Sequence, residues 1–556
     1  MDVESSYAAT VITLVAHDAR LGLPLLALLS LLGWRLYTFT ILPWLYPNDP
    51  KEYPYWIPGL GHLRSFFKDS NKLLSDARLY FHDSREPFAL TVAGQKWYVL
   101  LRPEDVTSTY KMDESSLSYD IFAVEVMRMV GITEEGVRKA FQTQPVEKYG
   151  AQTAATPYKH LVRLCKEYQL VQLSPGPRLD RLLGQAIGQF NLRLDLQSIR
   201  TWGAGWYANS TTSAPGSVDV SLYNWVSDVF IDFGTRAYFG DLLQDIAPDI
   251  TRTFMAFDAL SWQAMYQYPS FLCGEMTRAK GKLQNAMAEY FASPKDQRED
   301  ISWFISKVEE EMDRLDIAAS DRAIFFFQLY WRYVPFSSIS RLCKEKKKKK
   351  ITPLTVPSIN GNTRKAPFWM LSHLLFNPTL LDLIRAETEP AISKNGIDLS
   401  HLLNTQTCPH LNSVWDETIR LAAYAASVRF LARDLQLGGK TLRKGNRLMM
   451  PQRQLHFSEE AFGADAAAFH PDRFLEDPAL RRHPCLRPFG GGASMCPGRN
   501  LAKQATLAFV AMAVRRFEMV VEPPGQPFPE AAEGKPSIGL VDVQEGYDLK
   551  VRLRAR

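Results

Sequence analysis

The stretch "PFGGGASMCPGR", residues 488 to 499, surrounds Cys496 with glycines at 490, 491, 492 and 498. A cysteine thiolate is a strong, soft ligand for iron, and glycines let backbone N–H groups turn toward the sulfur and a flat macrocycle approach closely. A helix predicted after Pro497 begins beside the sulfur, where its N-terminal dipole is expected to lower the pKa of the thiol. The stretch therefore predicts a thiolate facing a planar iron cofactor. A small cysteine buried in a glycine-rich turn is the alternative.

The spacing within this stretch is more specific than the cysteine alone. Phe489, Gly492, Cys496 and Gly498 follow the pattern Phe, two residues, Gly, three residues, Cys, one residue, Gly. This string resembles the haem-binding signature of the cytochrome P450 family. The resemblance implies haem b as cofactor, with Cys496 as the iron ligand and the other three residues as cofactor-binding positions. The chain departs from the signature at Ser494, where the family usually has an Arg or His that holds a haem propionate.

A Glu–Arg pair precedes the cysteine stretch. Glu417 and Arg420, in "ETIR", stand three residues apart and share one face of a predicted helix, and Arg473 follows in "FHPDRF". Together they resemble the buried charge cluster of the P450 family, which implies a structural support for the cysteine loop. For the first two residues alone, a surface ion pair is the alternative. A bidentate carboxylate–guanidinium pair is costly to break once it is buried.

Other cofactor contacts are implied only by position. Arg429, in "SVRFLARD", matches the basic residue that reaches a haem propionate in the P450 family. The tryptophan and arginine that the family usually carries on its C helix have no clear counterpart here.

The oxygen-activating helix departs from the usual family pattern. Counting back sixteen residues from Pro378 reaches Asn362, with Gly361 in place of the usual acid and Thr363 next along the chain. The string around Asn362 resembles the branch that contains sterol 7α-hydroxylases and prostacyclin synthase, where an asparagine occupies this site. The resemblance implies that Asn362 and Thr363 serve catalysis by passing protons with ordered water. A solvated polar helix residue is the alternative for Asn362.

Composition limits the classes of protein to which the chain can belong. It has 556 residues, 46% of them apolar, which is enough to bury a large core. The formal charge of +5 is no larger than the net charge of "KEKKKKK" at 344 to 350 alone, so nucleic-acid binding has little support. Six scattered cysteines without a C-x-x-C pair indicate a reducing compartment.

The N-terminal region is predicted to be a membrane anchor that follows a tail at residues 1–20. Residues 21–46 form an apolar run whose one charged residue is Arg35. The run is about long enough to cross a bilayer. No small-x-small cleavage site follows, as it would after a signal peptide; a Pro/Gly-rich hinge at 47–62 follows instead. The charge pattern predicts a body on the cytoplasmic side, and the resemblance implies the endoplasmic reticulum membrane.

The remainder, 63–556, is expected to form one haem-thiolate catalytic domain, mainly α with a minor β part. Residues 87–106 predict a hairpin followed by a helix, and 435–450 predict short strands around glycine turns. Apolar spacing of three and four predicts helices at 220–240, 302–315 and 368–392.

Residues 332–358 disagree with their surroundings, because both flanks are helical and this basic segment is not. A solvated loop is one interpretation. Without the segment, "AIFFFQLYW" would join "INGNTRKAPFWMLSHLLF" as one long buried helix. The second interpretation is therefore an unspliced or mistranslated insertion.

The resemblance implies a membrane-bound monooxygenase that oxidises a lipophilic small molecule, in secondary metabolism, with O2 and electrons from NADPH-cytochrome P450 reductase. Cytochrome b5 and membrane lipid are further expected partners, and nucleic acid is not. Because the acid–alcohol pair is missing, an isomerase or dehydratase acting on a peroxide without a reductase stays open. A non-catalytic haem-binding membrane protein is the remaining alternative.

Overall fold

A computed structural model describes residues 24–112, 116–118, 120–145, 158–209, 216–265, 270–331, 359–393, 396–492, 495–534, 537 and 539–556. The predicted tail at 1–20, the first residues of the predicted anchor, the segment 332–358 and Ser494 lie outside this part of the chain. The prediction of a mainly α fold with a minor β part is confirmed.

Helices make up most of the described chain. They are α1 (Pro24–Leu45), α2 (Leu63–Lys68), α3 (Ser70–Tyr80), α4 (Pro103–Lys111), α5 (Asp120–Val130), α6 (Glu134–Ala140), α7 (Leu161–Leu173), α8 (Pro177–Arg193), α9 (Leu196–Gly203), α10 (Leu222–Phe239), α11 (Leu242–Ile246), α12 (Ile250–Met265), α13 (Gly274–Ala292), α14 (Trp303–Arg314), α15 (Ala319–Trp331), α16 (Lys365–Leu375), α17 (Pro378–Thr388), α18 (Leu399–Leu403), α19 (Pro409–Ala422), α20 (Gln452–His456), α21 (Glu459–Phe462), α22 (Arg473–Glu476) and α23 (Arg499–Arg516). Short 3₁₀ turns lie at Ser270–Leu272, Lys295–Arg298, Glu389–Ala391 and Pro478–Arg482.

The strands form small sheets. They are β1 (Lys51–Glu52), β2 (Phe88–Val92), β3 (Gln95–Val99), β4 (Leu117–Ser118), β5 (Gln144–Pro145), β6 (Tyr158–Lys159), β7 (Ala208–Asn209), β8 (Ser217–Ser221), β9 (Ile392–Ser393), β10 (Gly396–Ile397), β11 (Ala426–Leu431), β12 (Leu435–Leu437), β13 (Lys440–Leu442), β14 (Arg447–Pro451), β15 (Phe517–Val521) and β16 (Lys550–Ala555). The largest sheet has the order β1-β2-β3-β14-β11-β4, and a second has the order β15-β16-β8-β7. The hairpin expected at 87–106 and the strands expected at 435–450 are present.

The helical run expected at 368–392 is divided in the structure. Pro378 occupies the first turn of α17, and the side chain of Asn377 accepts a hydrogen bond from Leu380 N–H, so the chain stops one helix and caps the next. Helix α16, which carries the chain away from Asn362 and Thr363, lies in the core with α10, α19 and α23 around it.

The two helices that flank residues 332–358 meet in space. Ile359 N–H donates to Leu329 O of α15 across 3.3 Å. Asp258 of α12 accepts hydrogen bonds from both sides, from Trp331 Nε1 at 3.3 Å and from Arg364 Nη2 at 2.7 Å. The chain therefore leaves α15 and returns to the start of α16 at nearly the same point.

Helix α1 is long and apolar enough to cross a membrane, and none of its 22 residues is buried. Its one charged side chain is held by the hinge: Arg35 Nη1 donates to Tyr55 O at 2.6 Å, and its guanidinium lies 4.0 Å from the ring centre of Trp56. These contacts join α1 to the segment that leads into the body.

Candidate active site

The cysteine loop lies between the Pro478–Arg482 turn and α23. Its backbone closes on itself, because Cys496 N–H donates to Phe489 O at 3.0 Å. Gly492 has φ +56°, and a Cβ there would collide with Tyr110 O, so the close approach of α4 requires glycine. At Gly491 a Cβ would lie 2.8 Å from the ring of Tyr110. The glycines thus admit a neighbouring aromatic residue as well as a turn.

The sulfur of Cys496 stands at the start of α23. The backbone N–H groups of Gly498 and Arg499, with the Arg499 charge, favour the thiolate, but burial outweighs them and raises the pKa of the thiol. The helix start thus acts in the expected direction, and burial, which the sequence does not show, sets the net direction. A metal cation bound to the sulfur would reverse the balance, because a coordinating thiol loses its proton.

The charge cluster is complete and buried. Arg420 donates to both carboxylate oxygens of Glu417, from Nε at 2.7 Å and from Nη2 at 2.8 Å. Arg473 Nε donates to the same carboxylate at 3.1 Å. The Glu417 and Arg420 side chains are fully buried, and Arg473 is 6% exposed. The remaining guanidinium hydrogens reach backbone carbonyls and Asp465, so each charge has partners.

His456 joins this cluster to the cysteine loop and was not found from the sequence. Arg487 N–H donates to His456 Nε2 at 2.9 Å, so the other ring nitrogen, Nδ1, carries the proton and donates to Arg420 O at 2.9 Å. Arg420 Nη1 in turn donates to His456 O at 2.6 Å. Burial lowers the pKa of His456 to about 3, which keeps the ring neutral. A lone histidine at the end of the short helix α20 gives no sequence pattern that marks this role.

Arg429 lies on β11, 7% exposed, with Nη1 donating to Val428 O at 2.7 Å. Ser427, two residues earlier on the strand, shares its face. The hydroxyls of Ser427 and Tyr110 are hydrogen-bonded at 2.7 Å. Because Tyr110 also packs against Gly491 and Gly492, this strand face is continuous with the cysteine loop. Tyr110 and Ser427 are further candidate site residues that carried no sequence signal.

The oxygen-side residues contact the C-terminal segment. Asn362 Oδ1 accepts from Leu540 N–H at 3.3 Å, and a Cβ on Gly539 would collide with that oxygen. Thr363 Oγ1 donates to Ile359 O at 3.2 Å. Asn360 is 1% exposed, and neither polar atom of its side chain has a hydrogen-bond partner within the described chain.

The available donor atoms suit a metal whose other ligands come from a cofactor and not from protein side chains. Within the described residues, no group of three or more His, Cys, Asp or Glu side chains could hold a bare metal ion. Cys496 offers one sulfur, aided by two backbone N–H groups. The residues present therefore fit an iron macrocycle bound through a single thiolate.

Comparison with known proteins shows which family the site resembles. A cytochrome P450 family model matches residues 361–551, which include Asn362, Glu417, Arg473 and Cys496. A cytochrome P450 monooxygenase of Gibberella zeae is 32% identical over 27% of this chain, and that match spans about a third (31%) of the relative's own length.

Two more distant relatives match over most of their length. The 7-alpha-hydroxycholest-4-en-3-one 12-alpha-hydroxylase of Oryctolagus cuniculus is 23% identical over 95% of this chain and 97% of its own. The cytochrome P450 monooxygenase poxD of Penicillium oxalicum is 23% identical over 88% of this chain and 90% of its own. The family's cofactor is a haem held through a cysteine thiolate. The loop, the cluster and these relatives agree: residues 361–551 match the cytochrome P450 family, and the chain is similar over most of its length to P450 monooxygenases.

Proposed function

We propose that the protein hydroxylates, or otherwise oxidises, a lipophilic small molecule with O2 and electrons from an NADPH-dependent reductase. The observation that carries this proposal is the half-buried thiol of Cys496, set at the start of α23 with two backbone N–H groups turned to it. When bound there, haem b supplies the oxygen-activating iron chemistry.

Each part of the site has a task in this proposal. Cys496 binds the iron, while Glu417, Arg420, Arg473 and His456 hold the loop that carries it. The buried cluster suits that task because it is fully paired and therefore stiff.

Arg429 and Tyr110 are proposed to hold the haem propionates in place of the arginine or histidine that Ser494 replaces. A guanidinium and a phenol can each donate to a carboxylate, and both belong to the strand face beside the loop.

Asn362 and Thr363 are proposed to move protons through ordered water to the oxygen side. The amide Nδ2–H of Asn362 can donate while its Oδ1 accepts from Leu540, and the Thr363 hydroxyl can donate and accept.

The substrate is proposed to be an apolar metabolite of secondary metabolism, with a sterol or terpenoid skeleton as the leading class. Support comes from the Oryctolagus relative, a 7-alpha-hydroxycholest-4-en-3-one 12-alpha-hydroxylase, and from the monooxygenase of Penicillium oxalicum. A membrane helix would bring the site close to molecules dissolved in lipid.

The electron donor is proposed to dock on a groove of about 550 Å³ beside the cysteine loop. Its lining has one carboxylate, Asp416, against five basic side chains: Arg481, Arg482, Arg487, Arg499 and Lys503. Such a surface attracts an acidic partner, as expected of an NADPH-cytochrome P450 reductase, with cytochrome b5 as a further candidate. A relative from Gibberella moniliformis carries its reductase on the same chain.

Helix α1 is proposed to anchor the protein in the endoplasmic reticulum membrane, with the body facing the cytoplasm. Its length and exposure support a membrane span, and Trp44 and Trp56 are exposed near its C-terminal end, where interfacial aromatic residues are favoured.

The test uses the purified full-length protein loaded with haem. We expect a red-shifted Soret band in the reduced, carbon monoxide-bound form, and product formation that requires both NADPH and the reductase. Cys496→Ser should abolish both. Cys485→Ala, a matched change at a buried cysteine outside the loop, should keep both. A Cys496→Ser protein that retains the band and turnover would overturn the proposal.

A second candidate function is rearrangement of a peroxide. It is favoured by Gly361, which stands where the family usually has an acid, so that proton delivery to oxygen has no carboxylate at this position. Turnover of a lipid hydroperoxide or endoperoxide without NADPH and reductase would support it, and strict dependence on both would exclude it.

We also propose that residues 332–358 are an insertion into one long helix formed by α15 and α16. Support comes from the hydrogen bond between Ile359 N–H and Leu329 O and from Asp258, which is bonded to both sides. Transcript sequencing tests whether the codons reach the mature message.

A further inference from the structure

A cavity of about 370 Å³ lies outside the cysteine loop. It opens between α16, α19 and C-terminal residues at 528–533 and 541. None of the cysteine-loop residues of the described chain lines it. Its volume is in the range of small-molecule sites, which are typically about 300–1,000 Å³.

The walls of this cavity are flat aromatic rings held in fixed positions. The ring of His373 stacks on Phe469 with centroids 3.7 Å apart, and it lies 4.8 Å from the ring of Phe528. Trp369 is fixed by a hydrogen bond from Nε1 to Val541 O at 3.0 Å. Parallel, immobilised rings favour a planar aromatic guest over a branched aliphatic one, because offset stacking rewards a flat surface.

Two polar groups in the walls can bond a guest: one is half-buried, and the other is buried without a hydrogen-bond partner within the described chain. One is the imidazole of His373, whose pKa burial lowers to about 3, so that at neutral pH one ring nitrogen donates and the other accepts. The other is the hydroxyl of Thr418, a residue that is completely buried. A buried polar group without a partner is uncommon, and a bound ligand is one way to satisfy it.

The carboxylate at the cavity is already neutralised. Glu533 accepts from Tyr424 O–H at 2.6 Å and from Arg453 Nη2 at 3.1 Å. A cationic guest would have to compete with that ion pair, whereas a neutral guest would not. The lining therefore favours a neutral molecule.

We propose that this cavity is a second ligand site, which binds a small, neutral, planar aromatic molecule carrying a hydroxyl or carbonyl oxygen. The aromatic face stacks against the His373–Phe469–Phe528 rings, and the oxygen bonds the imidazole. Because the guest touches α16 downstream of Asn362 and α19 beside Glu417, its binding stiffens both helices at once. The site is independent of the iron chemistry.

The test uses 4-hydroxybenzophenone, a neutral aromatic phenol that cross-links on irradiation, with the purified full-length protein. We expect labelled peptides to include α16 residues 369–373 or the segment 528–533. Ala467→Trp should fill the opening and reduce this label at least about fivefold, since Ala467 lines the cavity. Ala468→Trp is the matched control, because Ala468 is exposed but not part of the lining, and it should leave the label unchanged.

His373→Phe separates the hydrogen bond from the stack. It keeps the flat ring, removes both ring nitrogens and should lower labelling about threefold to tenfold, as loss of one ligand hydrogen bond does. Circular dichroism of each variant verifies that it is folded. The proposal is overturned if labelling of these peptides survives Ala467→Trp, if Ala468→Trp reduces it equally, or if His373→Phe has no effect.

Discussion

The charge cluster under the cysteine loop and residues 359–364, which lead into the start of helix α16, are both largely buried and polar, yet they are built differently. In the cluster, every polar atom of Glu417, Arg420 and Arg473 has a partner. At the helix start, Asn360 is buried with both side-chain polar atoms unpartnered within the described chain. Fully satisfied networks give rigidity, whereas unsatisfied groups are typical of sites that must accommodate something else. The difference indicates a fixed support on one side and an adaptable surface on the other.

The largest expected effect on the free energy of unfolding comes from disrupting the charge cluster. Glu417→Gln removes the carboxylate that two buried guanidinium groups share and leaves Arg420 without an anionic partner, and we expect it to lower the free energy of unfolding by about 3–5 kcal/mol. Urea denaturation of the full-length protein measures this. Glu135→Gln, at an exposed pair with Arg138 of the same three-residue spacing, is the control and should change nothing measurable. Equal effects of the two substitutions would mean that the cluster is not what holds the loop.

The link between cluster and loop should give a pH dependence. His456 has a pKa of about 6.5 when unfolded and about 3 when folded, so the unfolded state takes up a proton first. Its contribution to stability is therefore complete above pH 6.5 and is lost as the pH falls toward 3, at up to about 1.4 kcal/mol per pH unit.

His456→Asn removes this titration, and urea denaturation between pH 6.5 and pH 4.5 measures the change. The variant should show a shallower fall in stability than the native protein. His373→Phe removes the half-buried histidine whose pKa is also lowered to about 3, so it should flatten the same window without affecting the cluster. An unchanged slope in His456→Asn would show that this ring titrates normally.

Substitutions within residues 359–364 should lower the free energy of unfolding less than substitutions in the charge cluster. Asn362→Ala removes the acceptor of Leu540 N–H and should cost about 1 kcal/mol. Asn360→Leu replaces an unpartnered amide by an apolar group of similar volume, so the free energy of unfolding should be unchanged or higher. Urea denaturation of both variants gives the comparison. If Asn360→Leu is the more damaging of the two, Asn360 is satisfied and the contrast between the regions disappears.

The smallest effect is expected from removing residues 332–358. Joining Trp331 to Ile359 keeps the Leu329–Ile359 hydrogen bond and both bonds to Asp258, so the free energy of unfolding should stay the same or rise slightly as a long closure is removed. Denaturation of the two forms under identical conditions measures this. A deletion protein that loses several kcal/mol would show that the segment belongs to the native fold.

Local patterns predicted much of this molecule. The cysteine signature, the hairpin at β2 and β3 and the start of α23 follow from short-range rules of spacing and turn chemistry. The division between α16 and α17 was missed, although Asn377 and Pro378 carry the signal for it.

Long-range contacts were beyond the sequence. His456, Tyr110 and Ser427 acquire their positions only when strands, α4 and the loop pack together, and no spacing along the chain encodes that. The net shift of the Cys496 pKa was missed for a related reason. The helix N-terminus is visible in the sequence, but the burial that outweighs it is a property of the packed structure.

The meeting of Leu329 and Ile359 also has a practical consequence. Because the two residues lie within hydrogen-bonding distance, this position is a natural insertion site, where a foreign segment can be added without displacing either helix. An affinity tag or a fluorescent domain grafted between Trp331 and Ile359 would therefore report on this enzyme from the middle of its chain, leaving both termini native.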